Sequence, residues 1–350
     1  MSAPEPRTAP APGPRPAAHD TAPAPLKHQD VLTIRRTRGA SVLLFLTDRC
    51  PVGCAHCSVD SRPDSPRITD FDLLTAIVER LAALPRTSLV GISGGEPFVE
   101  RRGLTLAVRH LADAGKRVVI YTSGFWARSA RAPRWIDEVL RRTSAVYLST
   151  DAHHVDSQGP ERFVNAARVI AGHGRPLVVQ CVDEGDALAD TRASLAHALG
   201  PHWHHHAELV PTRGLPHGRG AAHYAWTART PGRDFGRCDV VDAAVVRYDG
   251  RVTACCNESV IMGAGPPALR RDAADGPQVA AAVREFHDDA FFTALGSVGP
   301  GVLTGLPQYR DLADREFHSI CGLCWTMTKR RAAARGRDEA LLSALAGLAP

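Results

Sequence analysis

Residues 41–57 read SVLLFLTDRCPVGCAHC, an apolar, β-rich run that breaks into the polar Thr47-Asp48-Arg49 and then delivers three cysteines. A short apolar run closed by a polar loop predicts a buried strand with functional side chains at its C-terminal end. Cys50, Cys54 and Cys57 stand in a C-x3-C-x2-C spacing, near enough in the chain for three thiolates to converge on one inorganic centre. On this loop alone two centres fit. One is zinc with His56 as the fourth ligand; the other is a cubane iron–sulfur cluster with one iron left open.

The chain around this stretch alternates strand and helix. Leu74, Ile77, Val78 and Leu81 recur at helical spacing behind Thr69, the expected N-cap, with Asp72 three residues on. Strands follow at 89–93, 117–122, 145–150, 177–182 and 206–210, and helices near 101–114, 133–142, 161–171 and 191–199. Six strands alternating with five helices predict an α/β fold, a partial (β/α)6 barrel whose functional groups sit at the C-terminal strand ends. Within the fourth strand Tyr147, Ser149 and Asp151 share the face expected to look into the lumen, and Cys181 points to the helices as ordinary packing.

Composition bounds the function. The 350 residues carry 42 basic and 37 acidic side chains with no dense basic stripe and no apolar run long enough for a membrane span, so neither nucleic acid nor membrane is an expected partner. Residues 1–30 read as a disordered Ala/Pro-rich leader: the first 26 hold eight of the 26 prolines and lack the apolar centre of a secretion signal. A cytoplasmic, reducing setting is therefore expected. There, nine cysteines are better suited to metal than to disulfides.

One βα unit after the three-cysteine loop comes Gly94-Gly95-Glu96-Pro97, read as a tight turn presenting a carboxylate at the same rim. With this pair of motifs, residues 43–220 resemble the radical S-adenosylmethionine (SAM) superfamily. The resemblance implies that Cys50, Cys54 and Cys57 hold a [4Fe-4S] cluster whose open iron binds SAM. It also implies that the Gly94–Pro97 turn receives the methionine amino group, that Ser149 and Asp151 contact the ribose, that Arg162 meets the methionine carboxylate, and that Gln180 is a further cofactor contact. His56 stands where such proteins often place an aromatic residue.

After Val210 the composition shifts, and Pro211–Arg233 is rich in Gly, Pro and His. We read 40–215 as the core domain, 216–237 as a linker, 238–329 as a smaller β-hairpin/helix domain and 330–350 as a C-terminal helix. Asp249-Gly250 marks the hairpin turn. The His202–His206 run reads as an exposed loop, whereas His153, His154, Asp156, His206 and Glu208 are candidate substrate contacts. Cys238, Cys255, Cys321 and Cys324 form two pairs that suit zinc or a fully ligated cluster. Their spacing, with Gly218-Arg219-Gly220 ahead of them, resembles the twitch form of the SPASM extension, which implies one auxiliary [4Fe-4S] cluster. Cys255 and Cys256 are adjacent, so either could be the ligand and the other could pack or act as a hydrogen-atom donor.

The resemblance implies an oxidoreductase or epimerase that reductively cleaves SAM to a 5′-deoxyadenosyl radical, takes a hydrogen atom from a substrate, and draws electrons from a flavodoxin- or ferredoxin-like donor. The Pro-rich N-terminus favours a small natural product such as a sugar or aminocyclitol, with a ribosomally made peptide as the alternative. A non-catalytic metal-stabilised scaffold is the rival outside enzymes.

Overall fold

Side-chain alternation along the first six strands sets the layers. In the computed structural model, which describes residues 23–334 and 339–347, β1 (Ser41–Phe45), β2 (Leu89–Ser93), β3 (Arg117–Thr122), β4 (Ala145–Thr150), β5 (Leu177–Val182) and β6 (Ala207–Thr212) lie side by side in chain order, all parallel. Parallel neighbours need crossovers, and helices fill them: α2 (Phe71–Ala83), α3 (Arg101–Asp113), α4 (Arg134–Arg141), α5 (Ala152–Gln158) with α6 (Pro160–Gly172), and α7 (Ala187–Leu199). Val90, Ile92, Val118, Ile120, Val146, Leu148 and Val179 join the helices in the main core, and the alternate residues Leu89, Val119, Ala145, Tyr147 and Val178 form a second cluster on the opposite face. The fold is α/β, a partial (β/α)6 barrel.

Local chemistry shifts some boundaries. The cap of α2 is Asp70, whose carboxylate accepts from the Leu73 N–H at 2.8 Å, not Thr69. The β4–β5 crossover holds two helices rather than one. Asp151 accepts from the His154 N–H at 3.0 Å and starts α5, which ends at Gly159 with φ +79°.

The leader reading fails from residue 23 onward; residues 1–22 lie outside the described residues. Leu26 is buried, its N–H donates to Ser144 O at 2.9 Å, and α1 (His28–Arg36) follows before the first strand. Leu26 and Val31 pack against the Leu89, Val119, Ala145, Tyr147 and Val178 face, so this segment closes one end of the lumen. Burying two such side chains is worth about 1.5–3 kcal/mol each, enough to order a short segment that composition alone reads as coil.

The C-terminal part extends the same sheet. β8 (Ala244–Arg247) pairs in parallel with β1, and β9 (Arg251–Thr253) and β10 (Arg270–Asp272) continue antiparallel, giving nine strands ordered β10-β9-β8-β1-β2-β3-β4-β5-β6. Gly250 makes the hairpin turn at φ +87°, and a Cβ there would sit 2.1 Å from Ala273 O. Two very short strands, β7 (Thr230–Pro231) and β11 (Glu316–Phe317), pair separately. The stretch 257–320, without a clear period in sequence, folds as α8 (Glu258–Ile261), α9 (Gly276–Asp288), α10 (Ala290–Ser297) and α11 (Pro300–Leu303) around Phe286, Phe291 and Phe292. The expected terminal helix begins earlier, at α12 (Ile320–Ala334), so Cys321 and Cys324 sit in its first turn, three apart on one face. A further helix, α13 (Glu339–Ala346), packs on α10. Residues 335–338 and 348–350 of the expected helix lie outside the described residues. No helix among the described residues is long and apolar enough to cross a membrane.

Candidate active site

The three-cysteine loop leaves β1 and is fastened from several sides. The Cys50 N–H donates to Arg62 O at 3.0 Å, and Arg49 Nε to Ser65 O at 3.0 Å. Arg219 reaches in from the stretch read as a linker. Its Nη2 donates to Cys54 O at 2.8 Å and Ser61 O at 3.0 Å, its Nη1 to Asp60 at 2.7 Å, and its backbone N–H to Cys57 O at 2.9 Å. Gly218 and Gly220 let the backbones touch: a Cβ on Gly218 (φ +54°) would lie 2.5 Å from Cys57 O, and one on Gly220 would lie 2.4 Å from Leu215 O. The Gly218-Arg219-Gly220 segment is therefore a clamp on the cysteine loop, a role the sequence reading missed.

Cys50, Cys54 and Cys57 line a cavity of about 260 Å³ together with Ser93, Gly94, Gly95, Ser149 and Arg213. Gly94 and Gly95 enter by their backbone. A Cβ on Gly94 would lie 2.5 Å from Thr47 O and one on Gly95 2.3 Å from Arg49 O, so only glycines allow the turn to press against the loop. Glu96 is held by hydrogen bonds from the end of β3. Its carboxylate is fully buried and accepts from Thr122 Oγ1 at 2.8 Å, Ser123 N–H at 2.8 Å and Phe98 N–H at 3.2 Å. Burial raises its pKa while these donors pull it down. With buried Pro97 beside it, Glu96 ties the turn to the end of β3.

The other expected cofactor contacts separate. Ser149 lines the cavity, but Asp151, Arg162 and Gln180 are not among its walls. Asp151 sits between two imidazoles, 3.2 Å from His56 Nε2 and 2.9 Å from His154 Nδ1. Burial alone would raise its pKa, yet these two partners hold the carboxyl well below the usual range. His56 stacks on His153 with ring centroids 4.5 Å apart, an arrangement a loop histidine gains only when β4's end folds over it. Arg162 lies over the Phe125 ring at 4.5 Å and donates to Phe125 O. Gln180 pairs in register with Ser149 across β4 and β5. His206 and Glu208 line a different cavity with His28 and Arg175 and do not join the cysteine site.

The second set of cysteines converges. Cys238, Cys255, Cys321 and Cys324 line one small cavity with Val241, Leu295 and Trp325, whereas Cys256 does not. Cys256 faces instead into a chamber of about 620 Å³ with Arg35, Tyr121, His217 and Glu258. That chamber shares Ser93, Tyr121 and Leu215 with the three-cysteine cavity, and Asn257 and Cys321 with the four-cysteine cavity. Both sets thus border one space.

The donor chemistry fits metal clusters. Burial pushes the Cys50, Cys54 and Cys238 thiols up to about 12 and Cys321 to about 11, and raises Cys255 and Cys324 as well. Several buried thiols sharing one cavity become favourable ligands when a cation takes their protons. No fourth cysteine lines the first cavity among the described residues, so a cubane there keeps one iron free, while the second set offers four sulfurs.

A parallel α/β barrel with an open three-thiol site at its strand ends suits a cubane iron–sulfur cluster, and comparison with known proteins points the same way. Residues 44–183 match the family model described as Radical SAM superfamily. Radical SAM proteins use a [4Fe-4S] cluster and SAM. Among curated proteins, the PqqA peptide cyclase of Methylobacterium nodulans is 29% identical over 168 residues, covering 44% of this chain and 43% of the relative. The PqqA peptide cyclase of Methylocella silvestris is 30% identical over 193 residues, covering 49% and 51%. The match therefore spans about half the length of these relatives. Among solved structures, Streptococcus suis SuiB bound to S-adenosylmethionine aligns with a TM-score of 0.49 at 11% identity, covering 75% of this chain and 68% of that one.

Proposed function

We propose that this protein is a radical SAM enzyme that modifies a ribosomally made peptide. The observation that carries the reading is the chamber of about 620 Å³ that shares wall residues with both the three-cysteine cavity and the four-cysteine cavity. A substrate held there lies between the two sets of sulfurs. We prefer a peptide to the sugar or aminocyclitol of our first expectation because the matching relatives are named as peptide cyclases.

A [4Fe-4S] cluster on Cys50, Cys54 and Cys57 with bound SAM would supply one-electron reductive cleavage to the 5′-deoxyadenosyl radical. The chain's own residues provide the setting. Gly94 and Gly95 offer backbone groups to the methionine, Ser149 offers a hydroxyl to the ribose, and Tyr121 and Leu215 stand between the cofactor cavity and the chamber. Asp151, Arg162 and Gln180 are secondary candidates that would have to turn from their present partners to touch the cofactor.

In the same proposal Cys238, Cys255, Cys321 and Cys324 hold an auxiliary [4Fe-4S] cluster and a flavodoxin- or ferredoxin-like protein donates electrons in the cytoplasm. Cys256, with Arg35 Nη2 donating to its Sγ at 3.4 Å and its S–H donating to Val240 O at 3.6 Å, is the candidate hydrogen-atom donor.

The test is anaerobic turnover. Cluster-loaded protein is reduced with SAM and a precursor peptide encoded beside its gene, and 5′-deoxyadenosine and peptide mass are followed. Oxidation or crosslinking removes two hydrogens, and epimerisation leaves the mass unchanged in H₂O but adds one deuterium in D₂O. Cleavage of SAM with no change in any neighbouring peptide, and turnover of a sugar instead, overturns the peptide reading.

A further inference from the structure

The chamber contains a permanent positive charge that the chain leaves without a close carboxylate. Arg35 comes from the last turn of α1 and is half-buried in the chamber wall beside Tyr121 and Cys256. Its described contacts are a thiol and a phenol: Nη2 donates to Cys256 Sγ at 3.4 Å, and Tyr121 is its main electrostatic neighbour. Among the described residues it makes no ion pair within 4.0 Å. Arg38, one turn on, is bonded to the carbonyls of His287, Phe286 and Val241 and to Asp242 at 3.4 Å. Glu258 lines the same chamber and feels Arg35 and His217 beyond ion-pair distance, with burial raising its pKa.

A guanidinium stays charged at any physiological pH and offers five N–H donors in a planar fork matched to a carboxylate. Withdrawing it from water costs free energy unless an anion meets it. A thiol and a phenol satisfy little of that demand, and the open side of the fork faces 620 Å³ of space. We propose that Arg35 is a specificity residue that binds a carboxylate of the substrate and so registers a neighbouring substrate carbon against Cys256. This rests on the chamber being the substrate site proposed above.

The test compares two alkylating reagents of similar size on the cluster-loaded protein, anionic iodoacetate and neutral iodoacetamide, with labelling of Cys256 followed by peptide mass spectrometry. The ratio of the two rates cancels how far the thiol is ionised and reads the attraction for a carboxylate. The iodoacetate-to-iodoacetamide ratio at Cys256 should exceed that of the same cysteine in the denatured chain by about tenfold or more, as expected for a charged hydrogen bond. It should fall to the denatured value in Arg35→Gln and be kept in part by Arg35→Lys.

An equal ratio in wild type and Arg35→Gln overturns the proposal, as does a Cys256 that neither reagent reaches. If Arg35→Gln does not fold, the wild type still decides. Succinate should slow iodoacetamide labelling of Cys256 and succinamide should not; equal effects overturn the proposal. Neither readout requires SAM cleavage. A protein that shows the carboxylate preference but never cleaves SAM refutes the function and leaves the carboxylate site standing.

Discussion

Arg247 of β8 forks onto Asp48, two residues before Cys50, through bonds of 2.9 Å and 2.8 Å between side chains only 5% and 13% exposed. Tyr248 adds a third bond to Asp48 at 2.9 Å, and Asp249 accepts from the far side of Arg247. The C-terminal hairpin is thereby locked to the loop that carries Cys50.

Removing one member of this pair strands a buried charge. Arg247→Met should destabilise the protein by about 3–5 kcal/mol, and Asp48→Asn with Arg247→Met by clearly less than the sum of the two single variants. Denaturant unfolding of all three checks this. Additive losses would mean that the pair contributes no coupling.

Iron content separates the cysteine sets. Loaded protein should hold about eight iron, and Cys50, Cys54 and Cys57 replaced together by Ala should leave about half of it while abolishing SAM cleavage. Cys255→Ser should lose iron from the second set, because Cys255 lines the four-cysteine cavity, and Cys256→Ser should not. With its clusters intact, Cys256→Ser tests the donor role: an epimerase would cleave SAM but take no deuterium from solvent into product, whereas a dehydrogenase would turn over almost normally.

The glycine turn tolerates no side chain. Gly95→Ala would bring a methyl within 2.3 Å of Arg49 O, so either the turn or the cysteine loop must move. A loss of about 1–3 kcal/mol is expected, with weakened SAM binding by calorimetry. Gly172→Ala, at the end of α6 with nothing within 4 Å, should be neutral or mildly stabilising and serves as the control.

Acid should weaken the fold through His287. Burial, then the nearby Arg38 and Arg86, lowers its pKa from 6.5 to about 4, and the residue is 6% exposed. Between those values the unfolded chain binds the proton and the folded one does not, so stability falls as pH drops through 6.5 and stops falling near 4. The total is about 3 kcal/mol. Urea unfolding of the metal-free protein at several pH values should show this slope, and His287→Phe should flatten it.

The one-dimensional pattern determined the strand–helix rhythm, because each β-strand period and each helical stripe is written in neighbouring residues and needs nothing distant to be read. It also determined the three-cysteine loop, since C-x3-C-x2-C brings its thiols together within a single loop, and the sheet face of Tyr147 and Ser149. The partners of the Glu96 carboxylate were not legible, because Thr122 and Ser123 that bind it lie at the end of the next strand, about 26 residues away. Nor was the choice between Cys255 and Cys256: adjacent residues point apart, and only where α12 and the Cys238 loop fall decides which thiol meets the other three. Asp48 and Arg247 are 199 positions apart, and Arg35 enters the chamber from α1, a helix the sequence reading did not assign. These long-range pairings depend on parallel pairing of β1 with β8 and on burial of Leu26 and Val31 against the lumen, so tertiary packing alone could set them.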